Sequence, residues 1–177
     1  MLNTASYYLA FLQEEDQELK SMALNKINIL IDTNWAEISD YIIDFETMHA
    51  SNLDHQDNGL ISLILSKIYY NLEDYEKAIE WALQADTHLN LSEKSQFVTT
   101  ILRKIIEKYI QQRKSNFFNE DQIEIDERIK KIVERIFRQC MNLNEINQAI
   151  GFSFESYDLE RVRFFLTFIK NFLYLLI

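Results

Sequence analysis

The strongest constraint on this chain is what its backbone lacks: 177 residues include no proline and only two glycines, Gly59 and Gly151. A chain of this length ordinarily carries roughly nine prolines and twelve glycines. Tight hairpin turns draw on glycine for positive φ and on proline for a preset φ. A fold rich in β-hairpins is therefore excluded. Helices joined by short polar corners need neither residue. Apolar residues make up 47% of the chain, enough to bury a core and well above the disordered range.

Apolar positions recur at spacings of three and four almost throughout, the period of an amphipathic helix. Leu19, Met22, Ala23, Ile27, Leu30 and Ile31 form one stripe, with Asp16 as its cap. Trp35, Ile38, Ile42, Phe45 and Met48 form the next. Asn34 followed by Glu37 has the spacing of a capping box, so a turn is expected between them. Ser51 to Asn58 reads as a loop, and Ile61, Ile64, Leu65, Ile68 and Leu72 make a third stripe. Asp74 is placed to cap a fourth helix carrying Tyr75, Ala78, Ile79, Ala82 and Leu83. Ser92 is expected to open a long helix with Val98, Leu102, Ile105, Ile106 and Tyr109. The polar stretch Gln111 to Glu124 is expected to hold the longest connection. Ile125, Ile129, Ile132, Val133, Ile136, Phe137, Cys140 and Met141 form another stripe, and two shorter helices start near Asn144 and Asp158. The count comes to about nine helices with short corners. No stripe is wide enough to face one central core, so a stacked solenoid is favoured over a single bundle.

The net charge of -10 disfavours bulk nucleic-acid binding and anionic membrane surfaces. A single cysteine, Cys140, rules out an internal disulfide framework and suits a reducing compartment. The start, MLNTASYYLAFLQEED, lacks the basic residues and cleavage site of a signal peptide, so cytoplasm and nucleus are the expected locations. Phe164 to Ile177 is nearly all apolar, but fourteen residues fall short of the ~20 needed to span a bilayer. A buried helix is the better reading of it, and a membrane tail anchor the alternative.

No catalytic, cofactor-binding or metal-ligating constellation emerges. His49, His55 and His88 lack zinc spacing and read as solvated surface residues. Cys140 falls on an apolar stripe with nothing basic to lower its pKa, so it reads as buried and inert. Two glycines cannot build a phosphate-cradling loop. The clusters Glu14-Glu15-Asp16 and Glu120-Asp121 read as solvated caps, since nothing splits their pKa values. Arg128, Lys130, Lys131, Arg135 and Arg138 alternate with Glu127 and Glu134 and read as a solvated helix face. Core packing accounts for the aromatics.

Two resemblances sharpen this. Leu65 to Ala85, LSKIYYNLEDYEKAIEWALQA, resembles a tetratricopeptide-type hairpin: Tyr69, Leu72, Tyr75, Ala78 and Ala85 fit, and Glu73 stands where glycine is usual. Five blocks occur in order, one of them within that hairpin: Tyr7–Leu12 (YYLAFL), Leu19–Asp40 with its Trp-Ala-Glu-Ile-Ser run, Ser66–Ala85, Glu127–Cys140 (ERIKKIVERIFRQC), and Gln148–Val162 with its Gln-Ala-Ile-Gly run. Together they resemble the N-terminal region of the 26S proteasome non-ATPase regulatory subunit 1 family, the proteasome/cyclosome-repeat scaffold subunits of the regulatory particle base. The resemblance covers nearly all of residues 7–163. It implies an all-α fold, an α-α superhelix: a right-handed, tetratricopeptide-like solenoid of helical hairpins. It also implies a non-catalytic scaffold supporting assembly and ubiquitin-dependent degradation, in contact with base ATPases and lid subunits, without cofactor, nucleic acid or membrane.

Residues 1–163 correspond to the family's helical rod. Residues 164–177 depart from it as a divergent apolar helix. A truncated product, a misread gene boundary and a real divergence all remain open at that end. The alternative function is a tetratricopeptide-like adaptor that grips a peptide of a partner protein. An enzyme has no constellation to support it.

Overall fold

The computed structural model describes residues 5–51, 55–118, 123–142 and 145–174, with the side chains at 55, 56 and 168–174 outside that description. The fold is all-α. Among the described residues it has nine α-helices and no strand. In chain order they are α1 (Ala5–Phe11), α2 (Gln17–Ser39), α3 (Ile42–Ala50), α4 (His55–Asn71), α5 (Tyr75–Gln84), α6 (Gln96–Phe118), α7 (Glu127–Asn142), α8 (Ile146–Glu155) and α9 (Leu159–Tyr174). A single 3-10 turn, Asp86–His88, follows α5. The helices form two compact units, residues 1–104 and 105–177, with the division inside α6.

In the first unit, α4 packs against α2, α3, α5 and the 3-10 turn, and α1 packs against α2. This is the packing of a helical-hairpin solenoid. Every residue from Leu60 to Ser66 is buried, so this part of α4 is covered on all sides. Close approach is possible because one face carries small residues. A Cβ at Gly59 would come within 2.6 Å of His88 Nδ1 and 3.4 Å of the Ala85 carbonyl oxygen. Ser66 donates its hydroxyl to the Ala78 carbonyl of α5 at 2.7 Å, and Ser62 donates to the Asn58 carbonyl at 2.9 Å. Both hydroxyls are thus satisfied in the core, as buried polar groups must be. The buried Asp57, in the first turn of α4, accepts from the Ser21 hydroxyl of α2 at 2.9 Å.

The corner from α4 to α5 shows why glycine is dispensable. The Asp74 amide donates to the Tyr69 carbonyl at 3.0 Å and the Glu73 amide to the Tyr70 carbonyl at 3.1 Å. These are the paired bonds of a Schellman cap, which requires a left-handed residue. Glu73 takes that conformation, with φ 61°, at the position where the resembling hairpins carry glycine. Asp74 then caps α5 by accepting from the Lys77 amide at 3.2 Å. The α8–α9 corner uses the same device: Tyr157 has φ 53°, and the Asp158 amide donates to the Ser153 carbonyl at 3.0 Å.

Several expectations change. Asp16 does cap α2, accepting from the Glu18 and Leu19 amides at 2.9 and 3.3 Å. Asn34 marks a kink inside α2, with φ -115° and ψ 22°, but the capping box does not close. Glu37 instead accepts from the Ser6 amide of α1 at 2.8 Å. Met22 is exposed and Leu24 takes its place in the core, while Leu72 is exposed because α4 ends at Asn71. The expected loop from Ser51 is shorter, since α4 begins at His55; residues 52–54 lie outside the described residues. The long helix opens at Gln96 with Ser95, not Ser92, as its cap: Ser95 Oγ accepts from the Val98 amide at 3.2 Å. Of the expected connection Gln111–Glu124, the stretch Gln111–Phe118 is helix throughout, because α6 runs on to Phe118. Residues 119–122, including Glu120-Asp121, and the expected start at Asn144 lie outside the described residues.

In the second unit, α8 packs against α7 and α9. Ile129, Ile132, Val133 and Phe137 of α7 are buried, as their spacing predicts, and α9 runs unbroken past residue 163. Beyond α6, the Asn116 side chain holds Ile123 by both backbone groups: its amide donates to the carbonyl and its oxygen accepts from the N–H, each at 2.7 Å.

Left-handed backbone costs a non-glycine residue about 1–2 kcal/mol. Glu73→Gly is therefore expected to stabilise the first unit by about 1 kcal/mol, after allowing for glycine's extra entropy in the unfolded chain. Both tryptophans, Trp35 and Trp81, lie in this unit, so denaturation followed by tryptophan fluorescence reads the change directly. An unchanged or lower midpoint would show that the corner is not strained.

Candidate functional site

The residues that sequence chemistry singled out do not converge. Among the described residues, no group of three or more His, Cys, Asp or Glu side chains could hold a metal ion. His49 and His88 are half-buried rather than solvated. α3 lays His49 edge-on against Trp81 of α5, with ring centroids 5.1 Å apart at 85°. Burial pushes the His49 pKa below its usual 6.5. His88 packs over Gly59, and the His55 side chain lies outside the described residues. Glu14, Glu15 and Asp16 are exposed at the α1–α2 corner.

Tyr69 is the most perturbed group of the first unit. Its hydroxyl donates to Glu46 of α3 at 2.9 Å. Burial first, then this bond and the nearby carboxylates, push its pKa up to about 12. A phenol so held stays protonated and acts as a fixed donor joining α3 to α4. Lys77 lies 4.9 Å from the centroid of the same ring, a cation–π contact within the tetratricopeptide-like hairpin.

The second unit contains a groove of about 310 Å³ between α6, α7 and α8. Ile106, Ile136, Phe137, Ala149 and Phe152 line it, together with Cys140, Gln148 and Glu155. Cys140 is half-buried here rather than fully buried. Burial, reinforced by Glu145, raises its thiol pKa, which makes it a poor nucleophile. The groove offers shape and apolar surface but no paired acid and base. Sequence reading missed it because it is formed where three helices meet, and only Gly151, with nothing within 4 Å of an added Cβ, marks the opening.

Beside it stands an ionic cluster. Asp158 caps α9 by accepting from the Arg161 amide at 3.2 Å and pairs with the Arg161 Nε at 3.0 Å. Arg113 of α6 lies 4.0 Å from the same carboxylate and donates to the Ser156 carbonyl at 3.4 Å. The Arg161 guanidinium also pairs with Glu134 and sits 4.1 Å from the centroid of the Phe137 ring. Asp158, 9% exposed, thus holds α6 and α9 together and tolerates burial because it is paired. Burial also raises the pKa of the neighbouring Tyr109.

The two units differ in charge. Residues 1–104 hold seventeen acidic side chains against seven Lys and Arg, and residues 105–177 hold eleven of each. The whole net charge of -10 therefore belongs to the first unit. Among the described residues, no helix is long and apolar enough to cross a membrane.

These features define a class: an all-α protein of stacked helical hairpins that presents broad helix faces. Its sequence is specific within that class. Residues 3–176 match the family described as 26S proteasome subunit RPN2, N-terminal domain, and the chain belongs to that family. It is 39% identical over 164 residues to 26S proteasome regulatory subunit RPN2 of Eremothecium gossypii, covering 93% of this chain and 17% of that protein. It is 37% identical over 163 residues to the RPN2 subunit of Saccharomyces cerevisiae, covering 90% and 17%. To 26S proteasome non-ATPase regulatory subunit 1 of Dictyostelium discoideum it is 36% identical over 159 residues, covering 90% and 16%. The chain thus spans about one-sixth of the length of these relatives.

Two substitutions test the local physics. Asp158→Ala removes both the α9 cap and the ion pairs and is expected to destabilise the second unit by about 1–2 kcal/mol. Asp158→Asn keeps the cap and should cost clearly less. Circular dichroism with denaturant separates them, and equal losses would mean that charge, not capping, dominates. At His49, a lowered folded pKa means that the unfolded chain takes up a proton first as the pH falls. Stability of the first unit should therefore decline as the pH drops through and below 6.5. His49→Phe should flatten that decline, read by tryptophan fluorescence at about pH 7.5 and about pH 5.

Proposed function

We propose that this chain is the N-terminal helical segment of a non-catalytic scaffold subunit in the base of the 26S proteasome regulatory particle. The observation that carries the proposal is membership of the RPN2 N-terminal-domain family over residues 3–176. The relatives are by name regulatory subunits, and the Dictyostelium protein is a non-ATPase one. A scaffold binds through extended helix faces rather than a catalytic pocket, and stacked helical hairpins supply such faces. On this reading the partners are base ATPases and lid subunits, the process supported is ubiquitin-dependent degradation, and the location is cytoplasm and nucleus.

A second reading rests on one observation. The α4–α5 hairpin has the left-handed corner and small-residue interface of a tetratricopeptide unit, which fits an adaptor for a partner's peptide tail. A single such hairpin gives little groove, so the scaffold reading is favoured.

Affinity purification of the tagged chain from cells, with fluorescence of the same tag for location, distinguishes the two. The scaffold reading expects base and lid subunits together, in both cytoplasm and nucleus. Recovery of chaperone or receptor tails without any regulatory-particle subunit would overturn it in favour of the adaptor.

A further inference from the structure

The outward face of α7 carries a pattern that neither the fold nor the proposed function uses. Arg128, Lys131, Arg135, Arg138 and Asn142 are spaced by three and four, so they share one face. All five are exposed, while Ile129, Val133 and Phe137 on the opposite face are buried. Some charges of this helix, Arg128 of that face included, are engaged within the chain: Arg128 with Asp126 at 2.7 Å, Lys130 with Glu127 at 3.0 Å, and Glu134 with Arg161. Lys131, Arg135 and Arg138 are different. Among the described residues, no carboxylate lies within ion-pairing distance of any of them.

This is notable in a chain with 28 acidic side chains and 18 Lys and Arg, where carboxylates are in excess. Like charges at i,i+3 and i,i+4 repel along a helix, and an anionic partner would offset that repulsion. We propose that Lys131, Arg135 and Arg138 form a docking stripe for an acidic helix of a partner protein. The three cations span about 10 Å along the axis, from a rise of ~1.5 Å per residue. A partner helix with carboxylates at i, i+4 and i+7 has the same rise and meets all three.

Other polyanions fit less well. A single nucleic-acid strand gains affinity by stacking bases on exposed aromatics, and the one aromatic of α7, Phe137, is 5% exposed. A helix lying on an anionic membrane needs an exposed apolar face beside its cations, and the apolar face of α7 is in the core.

The test uses the full chain and a fluorescein-labelled helical peptide with Glu at i, i+4 and i+7, read by anisotropy at low ionic strength. Its Gln counterpart, an oligo-dT strand and phosphatidylserine vesicles serve as comparisons. The Glu peptide is expected to bind and the Gln peptide not. The triple variant Lys131→Gln, Arg135→Gln, Arg138→Gln should weaken binding about tenfold or more, with an unchanged or higher melting temperature. The double variant Arg135→Lys, Arg138→Lys should still bind. The proposal is overturned if the triple variant binds like the parent, if nothing binds, or if the oligonucleotide or vesicles are preferred. Stripe-dependent self-association in sedimentation would overturn it too, by making the occupant a second copy.

Discussion

The first unit depends on the burial of one helix. Ile61, Ile64, Leu65 and Ile68 of α4 are fully buried, and each such side chain contributes about 1.5–3 kcal/mol when taken out of water. The effect is available only because three other helices surround α4. Gly59, Ser62 and Ser66 matter as much as the large residues, since they let neighbouring backbone come close. Ser66 does two jobs at once. It is small enough for α5 to approach, and its hydroxyl finds the Ala78 carbonyl, so the short distance leaves no unsatisfied polar group.

The second unit is held together differently. Aromatic stacking and paired charges share the work there: Phe137 stacks on Phe152 at 4.9 Å, with the Arg161 guanidinium near the Phe137 ring. The contrast follows from composition. A stretch with equal numbers of acids and bases can build ionic ties between helices, as Asp158 does with Arg113 and Arg161. The first unit, with seventeen acids to seven bases, has few cations to spend on such ties. Lys67 is one of them, reaching Asp32 at 3.1 Å across α2 and α4.

Much of the fold was legible because helical periodicity and capping are local. The stripes of α2, α4, α5 and α7, the caps Asp16 and Asp74, and the helix start near Asp158 depend on residues within one or two turns of each other. The misses share the opposite character. Glu37 had the spacing to close a box on Asn34 but accepts instead from Ser6, a partner 31 residues away. Gln111 to Glu124 read as holding a connection because it is polar, but Gln111 to Phe118 is helix. Gln, Arg and Lys are good helix formers, and Arg113 gains a tertiary partner in Asp158. His49 looked solvated because nothing local reveals that Trp81 will pack against it.

The functional surface was harder to read for a related physical reason. A catalytic site concentrates reactive residue types, and that concentration is visible in a sequence. A helical-hairpin protein distributes recognition over a face, where ordinary charged residues carry it and only their pairing state distinguishes them. The five basic residues of α7 read from sequence as one solvated face. The structure separates them: Arg128 and Lys130 have intramolecular partners, whereas Lys131, Arg135 and Arg138 have none among the described residues. Fold stability explains the first two and leaves the other three unexplained, in the half of the chain that carries no net charge. Exposure, alignment and the lack of an ion-pair partner among the described residues are what single out Lys131, Arg135 and Arg138 as the stripe proposed to meet an acidic helix.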